Sequence, residues 1–322
     1  MSEQELTLIG LLGAGAAATG LALLAGGAQP PTLWYKLEWP REIEPDNVVA
    51  FLRNLASDRR RHVIGLETVV TEGRLTYRVG LAKDYAKTVL AQLQSYLPGV
   101  SAELIDHQVT TCPEYAWQLR ETPTHRALKT SDIDQVSRAL ITALSSTGKN
   151  DTVIFQWLLG PRLSPIDARK QEALSASWSD VFKGMAGKTP PLDADSRKSV
   201  HEKTTEPGFR AVCRIGIATN SQHPAQAIAN RILAALRTAE APGVRLSLRS
   251  DNPDKLAWSR SPRNWPVAVN VRELAALTSW PLGDQPYPGI VRTAARRLPA
   301  SNRVPQRGRV VGASTFPGQN RP

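Results

Sequence analysis

The sequence predicts an α+β protein: an N-terminal transmembrane helix, then two ferredoxin-like units, the second with a long insertion, and an extended C-terminal tail. Three observations predict this class. An uncharged stretch of membrane length lies near the N-terminus, a β-α-β-β-α-β order occurs twice, and the tail is basic without acidic residues. With 41% hydrophobic and 21% charged residues, the 322-residue chain resembles an ordinary globular protein rather than a disordered or collagen-like one.

The N-terminal stretch, residues 6–27, carries no charge. As a helix it would extend about 33 Å, enough to cross a hydrocarbon core of about 30 Å. Glu3 and Glu5 precede it, whereas a cleaved signal peptide begins with basic residues, so an anchor is favoured over a signal peptide or a buried helix. Basic residues follow the stretch, first at Lys36 and Arg41, which predicts a single-pass cell-membrane protein with the bulk of the chain cytoplasmic.

Three aromatic residues, Trp34, Tyr35 and Trp39, come soon after this stretch. They could form an aromatic belt at the membrane interface. They could equally be strand residues that pack into a core. The sequence leaves both interpretations open.

The first predicted unit occupies residues 29–110. Apolar and polar residues alternate in its strands, whereas the apolar residues of its helices recur every three or four positions. Glu72 and Gly73 form a hairpin turn between two strands. The predicted order is strand 33–42, helix from Pro45, strands 62–71 and 74–82, helix from Asp84, and strand 100–109.

The second predicted unit occupies residues 111–250 and repeats that order, which is the ferredoxin-like arrangement. An insertion at 161–207 interrupts it, with a helical piece followed by a polar segment typical of a mobile loop. The predicted order is strand 114–121, helix 131–144, strand 151–160, strand 209–219, helix 223–239 and strand 244–249.

The C-terminal region divides into a Trp/Pro-rich connector, 251–288, with a short helix at 271–277, and an Arg-rich linker, 289–322. The linker contains seven of the 40 basic residues and no acidic one, so the net charge of +11 is mainly a property of the tail. Such a tail is suited either to phosphate contacts without sequence specificity or to a solvated linker beside an anionic partner. The candidates for anionic contacts are Arg292, Arg296, Arg297, Arg303, Arg307 and Arg309.

The candidate motifs for catalysis or cofactor binding are all incomplete. The segment GMAGKT, 184–189, lacks the first glycine of a Walker A loop, because Phe182 stands there, and Pro190 blocks the helix that must follow. Cys112 and Cys213 stand alone, and the five histidines show no metal-ligand spacing. The strands also lack the aromatic pattern of RNA-recognition modules. The sequence therefore predicts no catalytic residue, no metal and no cofactor.

A family resemblance rests on the uncharged N-terminal span, the duplicated units and three segments: WYKLEWP (34–40), ELAALTSWPLG (273–283) and GRVVGASTFPGQNRP (308–322). Together they resemble the N-terminal, pre-ATPase half of actinobacterial conjugative-transfer ATPases, of the type IV secretion coupling-protein group related to the FtsK–HerA DNA pumps. In that family the last segment precedes the ATPase core. This chain stops at Pro322, so the resemblance carries over no Walker motif and implies no ATP hydrolysis by these residues.

The expected function is that of a membrane-anchored, non-catalytic module that tethers and positions the ATPase motor of a conjugative DNA-transfer translocase. The expected partners are the membrane, the ATPase, proteins of the secretion apparatus, DNA without sequence specificity, and further copies of the chain. Two alternatives stay open: a truncated part of the P-loop ATPase itself, and a membrane-tethered interaction scaffold unrelated to DNA.

Overall fold

The computed structural model describes residues 31–58, 60, 62–106, 112–166 and 194–292. Within these ranges nine strands form one antiparallel sheet, and seven helices accompany it. The strands are β1 Leu33–Glu38, β2 Ile64–Thr71, β3 Arg74–Leu81, β4 Ser101–Ile105, β5 Tyr115–Thr122, β6 Thr152–Leu163, β7 Gly208–Ala218, β8 Arg245–Asp251 and β9 Val267–Asn270. The helices are α1 Pro45–Ser57, α2 Lys83–Tyr96, α3 Ile133–Ser145, α4 Ala194–Thr205, α5 Gln222–Leu236, α6 Pro253–Ala257 and α7 Val271–Leu277.

The sheet runs without interruption through both predicted units. Its strand order is β4-β1-β3-β2-β6-β7-β5-β8, and β9 pairs with β7. Strands β2 and β6 join the two halves through a register that extends from Ile64–Leu159 to Thr71–Thr152. The prediction of two ferredoxin-like units is therefore wrong, because their strands belong to one continuous sheet to which the connector adds β9.

One face of the sheet, which we call the helical face, carries the main hydrophobic core. Leu66, Tyr77, Trp157 and Ile215 point to this face and pack with apolar residues of α1, α2, α3, α5 and α7. Helix α7 contacts both α1 and α3, and the indole nitrogen of Trp157 donates to the carbonyl oxygen of Leu277 at 3.0 Å. Burial of apolar surface thus stabilises both halves through a shared layer.

The opposite face, which we call the second face, is covered at its centre by the connector. Helix α6 contacts β5 and β7. Val63, Leu158 and Val212 form a small buried cluster there, against which Trp265 packs. The connector is therefore part of the folded body.

The membrane prediction gains no support from the structure. Among the described residues, no helix is both long and apolar enough to span a bilayer. The predicted span, residues 6–27, lies outside the described ranges. The prediction of a single-pass membrane protein is corrected accordingly.

The aromatic residues after that span belong to the core. Trp34 and Trp39 are 3% and 2% exposed. The ring of Trp34 lies against Gly65 and Gly80, whose missing side chains provide the room for it. Of the two interpretations, the structure supports strand residues that pack into a core.

The last part of the insertion contains a helix. Residues 194–205, predicted to lie in a mobile loop, form helix α4. Val200 and Lys203 of this helix are buried. The sequence pattern does not indicate helix α4, because a helix that buries few apolar side chains shows little hydrophobic periodicity. The predicted helical piece at 165–182 lies almost entirely outside the described ranges.

Candidate functional site

Residues 278–292, which we call the exit segment, return from α7 to the first half. Ile43 and Gly283 exchange two backbone hydrogen bonds, 3.3 Å and 2.6 Å long. The amide of Leu75 donates to the carbonyl oxygen of Gly289 at 2.8 Å. The exit segment is therefore held by main-chain contacts at two separate places on the first half.

Side chains of both halves hold the beginning of the same segment. The hydroxyl of Tyr77 donates to the carbonyl oxygen of Ser279 at 2.9 Å, and the hydroxyls of Thr68 and Ser279 lie 2.9 Å apart. From α3, Ser137 donates to the carbonyl oxygen of Trp280 at 2.5 Å. These residues are all buried, so each hydrogen bond satisfies a polar group that water cannot reach.

Glycine is required near the end of the segment. Gly289 has a φ of 72°, in the left-handed region. A Cβ atom at this position would also collide with the carbonyl oxygen of Gly73. The close approach of the exit segment to the β2–β3 hairpin thus depends on this residue.

Arg292, the first of the six arginines predicted to contact anions, closes the exit segment. Its guanidinium donates to the carbonyl oxygens of Pro281 at 2.7 Å and Gly283 at 2.8 Å, and also to that of Arg41. It lies 5.1 Å from the ring centre of Tyr287. Burial lowers the pKa of Arg292, although the nearby tyrosines oppose this. In this structure both terminal nitrogens of the guanidinium donate to the protein's own backbone.

The other five predicted arginines, at 296, 297, 303, 307 and 309, lie outside the described ranges. Their role in anionic contacts stays a prediction.

A buried charge cluster joins α4 to the sheet and the connector. The ammonium of Lys203 lies 2.7 Å from a carboxylate oxygen of Glu121 and 2.7 Å from one of Glu273. Glu273 also accepts from the amides of Leu128 and Asn270, and it completes a capping box at the start of α7. Glu121 accepts from the amide of Ala268 on β9.

Burial disfavours the charged forms of both Glu121 and Lys203, but neighbouring charges outweigh it only for Lys203. Burial raises the pKa of Glu121 to about 7, and Glu273 adds to the rise, so the attraction of Lys203 does not compensate for the lost hydration. For Lys203, burial lowers the pKa, but two adjacent carboxylates outweigh it and the net shift is upward. Lys203 therefore stays protonated while Glu121 titrates near neutrality.

Charged and amide side chains, which we call the charged row, line up across the strands on the second face. Each member is the cross-strand neighbour of the next, from the β4 edge to the β8 edge. Its ends are exposed and its centre is buried under the connector. In strand order the row is Glu103, Lys36, Arg78, Glu67, Gln156, Arg214, Gln118 and Arg249.

Buried hydrogen bonds hold the connector on the centre of the row. Gln156 Nε2 lies 2.7 Å from a carboxylate oxygen of Glu67 and 3.1 Å from the hydroxyl of Ser259. Arg214 pairs with Asp251 at 3.2 Å, and Lys255 pairs with the other oxygen of Asp251 at 2.7 Å. These contacts fix the connector rather than leave an open polar site.

Groups suited to metal binding do not converge in the part of the chain that the structure describes. No set of three or more His, Cys, Asp or Glu side chains there is placed to hold a metal ion. Cys213 is buried, which raises the pKa of its thiol well above the usual value, and Cys112 is exposed.

Sequence reasoning missed both the charged row and the Lys203 cluster. The row could have been found only with the strand register, because its members are spread over eight strands. For the cluster one signal was available: Asn270 and Glu273 have the spacing of a capping box, which marks the start of α7.

Comparisons with known proteins identify no family. No family model matches the chain, and no curated protein does so. Among solved structures, a xylooligosaccharide oxidase from Myceliophthora thermophila C1, in complex with xylobiose, is similar at 11% identity and a TM-score of 0.36. The similarity covers 84% of this chain and 57% of the oxidase, so the chain spans little more than half its length. A TM-score this low defines neither a common fold nor a shared activity.

Proposed function

We propose that this chain is a non-catalytic positioning module for the DNA-translocating ATPase of a conjugative transfer system. The observation that carries the proposal is the exit segment. Its backbone is bonded to Ile43 and Leu75, its side chains contact both halves, and Arg292 closes it. The chain is therefore bonded to the folded body up to residue 292, as positioning a motor requires.

The sequence resemblance indicates which class of ATPase the chain would position. The segments at 273–283 and 308–322 resemble those that precede the ATPase core in conjugative-transfer ATPases. The first of these segments contains the end of α7 and the start of the exit segment, so the residues that carry the resemblance also hold the exit in place. The proposal includes no membrane anchor.

The proposal can be tested with the purified chain and the FtsK–HerA-type ATPase encoded by the same genome. Biolayer interferometry measures their association, and a triplex-displacement assay measures DNA translocation by the ATPase with and without the chain. We expect binding, and a change in translocation that Arg292→Met weakens. Arg74→Met, which removes an exposed arginine from β3, is the matched control and is expected to behave as wild type.

Three results would contradict the proposal. The chain could fail to bind the ATPase. Arg292→Met could act like wild type, in which case the exit segment does not position the motor. The purified chain could hydrolyse ATP by itself, in which case the module is catalytic.

A further inference from the structure

Three arginines on the second face form a basic triangle at the β8 edge of the sheet. Arg245 and Arg249 are exposed on β8, and Arg120 is half-buried on the adjacent strand β5. Arg120 lies opposite Ser247, the residue midway between the other two. Each β8 arginine is thus a diagonal neighbour of Arg120, a relationship with a separation of about 7–8 Å in antiparallel sheets.

The alternation of the strands places all three side chains on the second face. Leu119, next to Arg120, is fully buried in the core of the helical face, and so is Leu246, next to Arg245. Successive residues of a strand point to opposite faces. The triangle therefore projects away from the helices.

Nothing in the described ranges neutralises these arginines. None of the three has a side-chain hydrogen bond or an ion pair there, and the Nε of Arg120 is buried without an acceptor. The nearest carboxylate on the same face of β8, that of Asp251, is already paired with Arg214 and Lys255. Among the described residues, the surface thus presents three positive charges without an ion-pair partner.

The residues between the arginines are neutral and polar. Gln118, Thr122 and Ser247 are the cross-strand neighbours of Arg249, Arg245 and Arg120. On this face the two strands carry no aromatic side chain and no large apolar one. The centres of protein interfaces are enriched in aromatic residues, and insertion into a membrane needs apolar side chains, so this face of the two strands is less suited to either partner than to a polyanion.

We propose that the basic triangle binds the phosphodiester backbone of duplex DNA without reading its sequence. Arginine, hydroxyl and amide side chains are the usual contacts to phosphate oxygens. This face of β5 and β8 carries no aromatic side chain on which bases could stack, which is the way in which sheets bind single strands.

This inference goes beyond the proposed function, because it gives the folded body a DNA contact that needs no ATPase. It can therefore fail while the positioning role stands, and the reverse is also true. The contact lies in the described body and is distinct from the arginines of the tail.

The test is fluorescence anisotropy of the full chain with a labelled duplex of mixed sequence, over a range of salt concentrations. Each phosphate contact contributes about 0.9 to the slope of log affinity against log salt. We expect Arg245→Gln and Arg249→Gln each to lower the slope by about 0.9, and the triple variant with Arg120→Gln to lower it by about 2.7. Arginines of the tail contribute equally in every variant, so the difference isolates the triangle.

Two further variants separate charge from folding. Arg74→Gln removes an exposed arginine from the same face of the first half and is expected to leave the slope unchanged. Arg249→Lys keeps the charge and is expected to keep the slope. Thermal unfolding of each variant shows whether it is folded. If the triple variant does not fold, the slopes of Arg245→Gln and Arg249→Gln alone decide the test.

Four results would overturn the assignment. The slope could be unchanged in Arg245→Gln and Arg249→Gln. Binding to duplex RNA could be as tight as binding to DNA. The substitutions could abolish binding to a polyglutamate peptide but not to DNA, which would identify an acidic protein partner. They could cause self-association with DNA binding intact, which would show that the arginines protect an edge strand.

Discussion

Lys203 reaches from helix α4 to Glu273 at the start of α7, with its ammonium 2.7 Å from the carboxylate. The same ammonium contacts Glu121 on β5 at the same distance. A single buried cation thus connects the end of the insertion, the sheet and the connector.

Removal of Lys203 should destabilise the protein strongly. Lys203→Met leaves two carboxylates buried without a cation, and breaking a buried ion pair in this way costs about 3–5 kcal/mol. Urea denaturation of the full chain measures the free energy of unfolding. Lys198→Met, at an exposed position of the same helix, is the control and should stay within about 0.5 kcal/mol of wild type. A loss below about 1 kcal/mol for Lys203→Met would show that the cluster is not needed.

The cluster should also make stability depend on pH in an unusual direction. Burial raises the pKa of Glu121 to about 7 in the folded protein, whereas an unfolded glutamate has a pKa of about 4.3. Between these values the folded state binds more protons, so this group makes the free energy of unfolding decrease as pH rises from about 5 to 8. The decrease is on the order of 3 kcal/mol, since one pKa unit corresponds to about 1.4 kcal/mol.

The measurement is urea denaturation at several pH values, with wild type compared with Glu121→Gln. The variant cannot titrate, so its stability should lack this decrease. Glu202→Gln, an exposed neighbour of Lys203, should retain it. If wild type and Glu121→Gln showed parallel pH profiles, burial would not be the dominant influence on this carboxyl.

The exit segment should loosen when Arg292 loses its donors. Arg292→Met removes hydrogen bonds to three carbonyl oxygens. A hydrogen bond from a charged donor contributes about 1.5–3 kcal/mol to stability. We expect the amides of Leu75 and Gly283 to exchange with solvent roughly ten times faster or more, with little change for core amides such as that of Trp157. Hydrogen exchange read by NMR checks this, with Arg74→Met as control. Equal protection in wild type and Arg292→Met would mean that the backbone bonds alone hold the segment.

Local patterns in the sequence located most elements of the fold. The hairpin at Glu72–Gly73 and the short helix at 271–277 lie where the turn residues and the apolar spacing indicate. Pairing between β2 and β6 was not predicted, because both read as ordinary buried strands and periodicity does not specify a distant partner. The continuous sheet, and with it the charged row, follows from that one pairing.

The candidate site was harder to predict than the fold. Composition correctly marks the tail as basic, but it does not show that Arg292 donates to carbonyl oxygens of its own chain. Helix α4 was interpreted as a loop because its sequence is polar, although Lys203 is 7% exposed. A long polar side chain can be buried when partners elsewhere in the chain compensate its charge, and those partners are invisible to a local pattern.

The contact between Trp34 and two glycines should be sensitive to a single added methyl group. A Cβ atom at Gly80 would lie 2.7 Å from the Trp34 ring, closer than carbon atoms pack, and Gly65 has the same relationship. Gly80→Ala should therefore cost about 1–3 kcal/mol, as overpacking does in a dense core. In a Trp34→Ala background the cavity accommodates the methyl group, so the same substitution should cost little or add stability. A double-mutant cycle by urea denaturation measures this coupling, and an equal cost of Gly80→Ala in both backgrounds would locate the strain elsewhere than at Trp34.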